Sequence, residues 1–282
     1  MAGPARYQDG GTGPGMPQVS FPRLTPAVRR LLIALAAIHL ATFALFLASD
    51  ATYTRIVDPL QLDAQSWVDG FPLVPAWQLL TYGLLHSPVD VMHLLGNLLM
   101  LYFFGTMLEE ELGTRRFLWT YVAAQVAGAI LFLVAAGFGS LSGSVVGASG
   151  ACYGVMIAVA TLFPARVVYL LFVPIPLRWL ALLILVVTVF SALVQLKFES
   201  SSGTAHLVHL GGIVYGFLAV RSGLVRKDPV EILERRRAVN EVERAQSDAM
   251  RVDQLLEKIS REGIGSLSKA EREFLKKASS RR

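Results

Sequence analysis

Six stretches of the chain are apolar for long enough to cross a bilayer, at about residues 29–49, 90–108, 116–137, 146–164, 177–195 and 205–221. Each approaches the ~20 residues that a hydrocarbon core demands of a helix. Two of the six are short and contain glycines, a composition suited to close helix packing. The stretch 165–176 is apolar as well, but Pro174 and Pro176 punctuate it, so it reads as a connector before the fifth span.

Basic residues lie before the first span (Arg23, Arg29, Arg30), between the second and third (Arg115, Arg116), between the fourth and fifth (Arg166, Arg178) and after the sixth (Arg221, Arg226, Lys227). The alternate loops hold only Arg55 and Lys197. Because cytoplasmic loops collect Lys and Arg, both termini are expected in the cytoplasm, with loops 50–89, 138–145 and 196–204 outside. Loop 50–89 carries Trp67, Phe71, Trp77 and Tyr82 among prolines, which suits an element lying at headgroup level.

Beyond about residue 229 the pattern changes to that of soluble helices. Val252, Leu255, Leu256 and Ile259 fall on one helical face, and Gly263 supplies a stop. Ser268 and Glu271 form a capping box that opens a second helix. The expected fold is an all-α membrane protein, a six-transmembrane-helix bundle with a short cytoplasmic helical tail. Its parts are a disordered Gly/Pro-rich cytoplasmic leader (1–28), the membrane domain (29–222) and the basic tail (223–282).

Composition supports that partition. The chain is 54% hydrophobic and 17% charged, against about 25% charged in a soluble domain. Residues 1–220 are formally neutral, so the whole net charge of +5 lies in residues 221–282. A basic excess confined to one end suits a tail beside an anionic leaflet and argues against a nucleic-acid groove through the body. Cys152 is the only cysteine, which excludes an intrachain disulfide. It reads as a small apolar interface residue.

Polar side chains inside spans are costly, so their positions are informative. All five histidines lie in the membrane region. The second, fourth and sixth spans all enter from outside, which brings their first residues to a similar shallow depth. These are His93 and Asn97, then Gly147-Ala-Ser149-Gly150, then His206 and His209. His93 and Asn97 are four apart and share a helical face. Gly150-x-x-x-Gly154 and Gly212-x-x-x-Gly216 are small-residue faces that let helix backbones approach closely. If those faces meet, Ser149 and a span-six histidine come within hydrogen-bond reach, as a serine nucleophile and its base require. His206 competes with His209 for the base, and two neighbouring glycines favour His209. His39 and His86 read as structural hydrogen-bond partners.

These residues resemble the rhomboid family of intramembrane serine proteases. The likeness lies in Leu84-Leu-His86 with Met92-His93-Leu-Leu-Gly-Asn97, in Gly147-Ala-Ser149-Gly150 followed by Tyr153 and Gly154, and in Ala205-His-Leu-Val-His209-Leu-Gly-Gly212. The connector Gly105-x3-Glu109-x3-Gly113-x2-Arg116-Phe117 adds a fourth motif, and the likeness covers about residues 75–220. The resemblance implies a rhomboid-like bundle in which Ser149 is the nucleophile and His209 the base, a dyad with no carboxylate. It implies that His93, Asn97 and the Ser149 N–H stabilise the oxyanion, and that Tyr153 stacks on His209. Transmembrane proteins in the lipid bilayer would be its substrates, with no cofactor, metal or nucleic acid. The expected setting is a bacterial inner membrane. The rival readings are a proteolytically inactive rhomboid-like scaffold that binds membrane proteins, and a small transporter, for which the chain lacks a convincing internal repeat.

Overall fold

The computed structural model describes residues 22–138, 143–170, 173–198 and 206–279. Residues 1–21 of the expected leader and 199–204 of the expected third outer loop lie outside that range. The chain separates into two compact units, Met1–Val225 and Arg226–Arg282.

The first unit opens with α1 (Pro26–Ala48), whose proline sits at the first helical position, where a missing N–H costs nothing. The cap comes from far away in sequence. The buried Glu109 carboxylate accepts from Ala27 N and Val28 N at 3.0–3.1 Å and from the Thr114 hydroxyl at 2.6 Å. Replacing Glu109 by alanine leaves these donors unmet, at a cost of about 1–3 kcal/mol. Glu109→Ala should therefore lower the thermal midpoint of the purified protein. An unchanged midpoint would show that α1 is held by lipid-facing packing alone.

The segment after α1 is folded rather than an open loop. It contains α2 (Asp50–Val57), β1 (Leu62–Asp63), α3 (Ala64–Gly70) and α4 (Gln78–Thr81). Trp67 and Leu79 pack on a cluster that includes Leu62, Tyr82, Phe132 and Val145, while Phe71 and Leu73 stay exposed. Then come α5 (Val91–Leu112), α6 (Thr114–Gly137), β2 (Ser144–Val145) and α7 (Ser149–Leu162). They are followed by β3 (Val167–Leu170), β4 (Val173–Pro176), α8 (Leu177–Phe198) and α9 (His206–Arg221). α5 passes through a π turn at Leu101–Gly105. β1 pairs antiparallel with β2, Leu62 opposite Val145 and Asp63 opposite Ser144.

Among the described residues four helices, α1, α5, α6 and α8, are long and apolar enough to cross a membrane. The remaining two apolar helices, α7 and α9, have 14 and 16 residues. The span expected over 146–164 is thus shorter at its start, because Gly147 takes φ +127°, a conformation L side chains rarely adopt. The connector expected over 165–176 contains two paired strands. β3 and β4 form an antiparallel ribbon with Val167 opposite Pro176 and Leu170 opposite Val173.

α7 is the centre of the unit, with eleven of its 14 residues buried between neighbours. It meets α9 backbone to backbone. A Cβ added at Gly212 would collide with the Gly150 carbonyl, and one at Gly216 with the Gly154 carbonyl. On the α6 side, a Cβ at Gly211 would lie 2.6 Å from the Ala127 carbonyl oxygen. Small residues allow this approach, and dispersion between the backbones holds it in the absence of a hydrophobic drive between helices.

The second unit holds α10 (Pro229–Glu262), capped by Asp228, and α11 (Lys269–Ser279). Gly263 ends α10 at φ +82°. The Ser268 hydroxyl accepts from Glu271 N at 3.2 Å, and Ser268 N donates to Glu271 Oε2 at 2.7 Å. That backbone hydrogen bond, with further ones from Lys258 and the Ser268 side chain, holds the Glu271 carboxyl below the usual carboxylate range. Of the four residues expected on one helical face, Leu255 is buried, Val252 and Ile259 are half-buried, and Leu256 is exposed. Leu256 follows Leu255 by one residue and so points about 100° away on the helix.

Candidate active site

The approach to Ser149 is built by residues 143–148, which are not helical. α7 has 14 residues, about 21 Å of rise, against a hydrocarbon core about 30 Å thick. Irregular backbone at such depth needs partners from protein or a water-filled cavity. Here the partners come from α6 and the turn before α5. Gly147 N donates to the Tyr82 carbonyl at 2.9 Å, and the Gly147 carbonyl accepts from Gln125 Nε2 at 3.0 Å. Gln125 Oε1 accepts from Ala151 N at 2.9 Å. One buried carboxamide thus clasps the chain on both sides of Ser149. Gln125 is itself held by the Tyr82 hydroxyl, which donates to its carbonyl at 2.7 Å.

Gln125 belongs to none of the sequence motifs, and its one signal in the sequence is the cost of a carboxamide in the middle of an apolar span. Gln125→Ala would leave the Gly147 carbonyl and the Ala151 N–H without partners, at about 1–3 kcal/mol, and should lower the thermal midpoint of the purified protein. An unchanged midpoint would show that the Gly147 turn holds its shape unaided.

Ser149 and His209 are both buried, and Ser149 Oγ lies 2.7 Å from His209 Nε2. The Tyr153 ring stacks on the His209 imidazole with centroids 4.4 Å apart and planes 7° from parallel. His206 stands edge-on to His209 at 5.9 Å between centroids. Beside the pair is a cavity of about 10 Å³ lined by residues that include Tyr82, His93, Val145, Gly147, Val208 and the Ser149–His209 pair. That is room for about one water molecule. The His93 ring lies so close to Gly147 that a Cβ there would be 2.7 Å from His93 Cε1.

Asn97 is placed differently from the expected donor set. It does not line the cavity, and its amide nitrogen is 2.9 Å from His86 Nε2. His86, read from sequence as a structural partner, is buried edge-on to His93 with ring centroids 5.3 Å apart. Cys152 is buried, with Sγ 3.6 Å from the Asn97 carbonyl oxygen. Among the described residues, no group of three or more His, Cys, Asp or Glu is placed to hold a metal ion.

Residues 75–224 match the family model described as the Rhomboid domain. This chain belongs to the rhomboid family. It is an integral membrane protein of that family, and the rhomboid match spans Ser149, His209, His93, Asn97, Gln125 and Tyr153 together. A similar curated protein is RHOMBOID-like protein 12, mitochondrial, of Arabidopsis thaliana, 28% identical over 158 residues. The match covers 50% of this rhomboid chain and 46% of that relative, so it spans about half of the relative's length. Residues 240–281 match a family of unknown function, DUF6576.

Proposed function

We propose that this rhomboid protein is an intramembrane serine endopeptidase that hydrolyses peptide bonds in or near transmembrane segments of other proteins. The observation that carries the reading is the 2.7 Å contact between Ser149 Oγ and His209 Nε2 at the start of a helix too short to span the bilayer. The Ser149 hydroxyl donates to Nε2, and as Oγ attacks the scissile carbonyl carbon its proton passes to His209. His209 then protonates the leaving amine, and water hydrolyses the acyl-enzyme by the same route in reverse. Among the described residues no carboxylate is hydrogen-bonded to the His209 imidazole, so the stacked Tyr153 ring takes the orienting role.

The oxyanion forms at the N-terminus of α7, where the helix dipole favours negative charge. Among the described residues nothing accepts from the Ser149 or Gly150 N–H. These two groups and His93 form the donor set in a site where hydrogen bonds act with little competition from water. Asn97, held on His86 at rest, is an outlying fourth donor. Gly147, Gly150, Gly154, Gly212 and Gly216 keep the backbones close enough for the dyad to form.

In this proposal α7 and α9 complete a six-helix bundle, with both termini and the basic tail in the cytoplasm of a bacterial cell. The Lys/Arg bias of the loops supports that orientation. The decisive experiment incubates detergent-solubilised protein with a model transmembrane substrate, wild type against Ser149→Ala. Cleavage by wild type alone is the expected result. Equal cleavage by both would overturn the serine mechanism, and cleavage by neither would leave a membrane-protein-binding scaffold as the better reading.

A further inference from the structure

Two ring nitrogens are stranded outside the reaction described above. Among the described residues, His39 Nδ1 and His86 Nδ1 are buried without a hydrogen-bond partner. Both side chains are deep in the fold, His86 2% and His39 6% exposed. Buried polar atoms in native proteins are paired with protein or ordered water, so each such atom calls for an explanation.

The tautomer of His86 says what its stranded atom needs. Asn97 Nδ2 is 2.9 Å from His86 Nε2. An amide NH2 can only donate, so Nε2 accepts, and a neutral imidazole then carries its proton on Nδ1. The His86 Nδ1–H is therefore a buried donor in need of an acceptor. His39 Nδ1 is the complementary atom when that ring carries its own proton on Nε2. α1, which bears His39, packs against the turn Tyr82–Leu84 and against α5, the two segments that flank His86. The charge of His39 acts on His86 across that contact. The two nitrogens do not bond each other, and water is the smallest group that accepts from one and donates to the other.

We infer that His39 is a positioning residue for the oxyanion donors: through one ordered water it takes up the His86 Nδ1–H, and His86 in turn holds Asn97 and His93. The inference rests on the protease reading and adds to it a side chain from ahead of the stretch that matches the Rhomboid domain. Locking one Asn97 N–H on His86 fixes the plane of the carboxamide, and with it the direction of the other N–H. The His86 ring also stands edge-on to His93, centroids 5.3 Å apart, and His93 lines the Ser149 cavity. If the His86 proton moved to Nε2, two donors would face each other and Asn97 would be released.

The test uses the full-length protein in dodecyl maltoside with three replacements of His39. Asparagine sets a carboxamide oxygen close to the Nδ1 position, glutamine sets one near Nε2, and leucine removes the acceptor. On a model transmembrane substrate, His39→Leu and His39→Gln should lower kcat about 10-fold with KM nearly unchanged. That is less than the roughly 10²–10³-fold of an oxyanion donor removed outright, because Asn97 is misdirected and not lost. His39→Asn should keep kcat close to wild type. Equal kcat in all three variants, whether high or low, overturns the inference. Should leucine unfold the protein, asparagine against glutamine carries the comparison.

A second arm reads the rings without turnover. Histidine nitrogen NMR should show the His86 proton on Nδ1 in wild type, with a cross-peak to water, and His39→Leu should shift that nitrogen's resonance. A His86 proton on Nε2, or a resonance indifferent to His39→Leu, overturns the inference. The expected NMR result together with no cleavage by wild type would sink the protease reading and leave the bridge between His39 and His86 standing.

Discussion

Ser149→Ala and His209→Ala should each remove nearly all turnover, by on the order of 10⁴-fold or more, and the double variant should be scarcely worse than either. The reason is geometric. Oγ and Nε2 share one 2.7 Å hydrogen bond, so neither group can act without the other and their losses do not add. His206→Ala is the informative control, because that ring touches His209 edge-on. It should keep activity within about 10-fold of wild type, in line with a neighbour and not the base. A fluorophosphonate should label Ser149 in wild type and fail on His209→Ala. Undiminished cleavage by purified Ser149→Ala would end the dyad interpretation at once.

The second large effect comes from a single methyl group. Gly212→Ala would put its Cβ into the Gly150 carbonyl, with backbone on both sides and no flexible side chain to yield. α7 and α9 must then separate, carrying Ser149 and His209 apart. A shift of about 1 Å can cost on the order of 100-fold in rate, and overpacking costs about 1–3 kcal/mol in stability. Gly150→Leu should be worse, since the Gly150 Cβ position already faces the Val208 side chain at 2.8 Å. Gly96 provides the contrast, a helical glycine whose added Cβ meets nothing within 4 Å. Gly96→Ala should leave stability unchanged or slightly raised. Wild-type turnover in Gly212→Ala would show that the helices can slide without harm.

Much of this arrangement is legible in the sequence, because the bilayer enforces simple rules. Apolar length marks α1, α5, α6 and α8, and the cost of burying polar groups singles out Ser149 and His209. The glycine spacing anticipates the contact between α7 and α9. Less legible is whatever depends on one side chain choosing among several partners. Asn97 shares a face with His93 by spacing, yet its amide pairs with His86, which no periodicity could announce. Gln125 acts across 22 and 26 residues of sequence, on Gly147 and Ala151. The ribbon of β3 and β4 hides behind Pro174 and Pro176, which look like breakers but sit where antiparallel pairing tolerates them.

The cavity beside Ser149 has a consequence for selectivity in time. A space of about 10 Å³ has room for about one water and none for an extended peptide, so the proposed reaction requires the segments around Ser149 to part. That makes gating a natural limit on turnover. Under the proposed protease reading, such a site would be restrained by kinetics more than by affinity, sparing helices that diffuse past and cutting those that dwell beside it and unwind. A small electrophile that fits the resting space should inactivate such an enzyme far faster than a peptide-sized one of equal intrinsic reactivity.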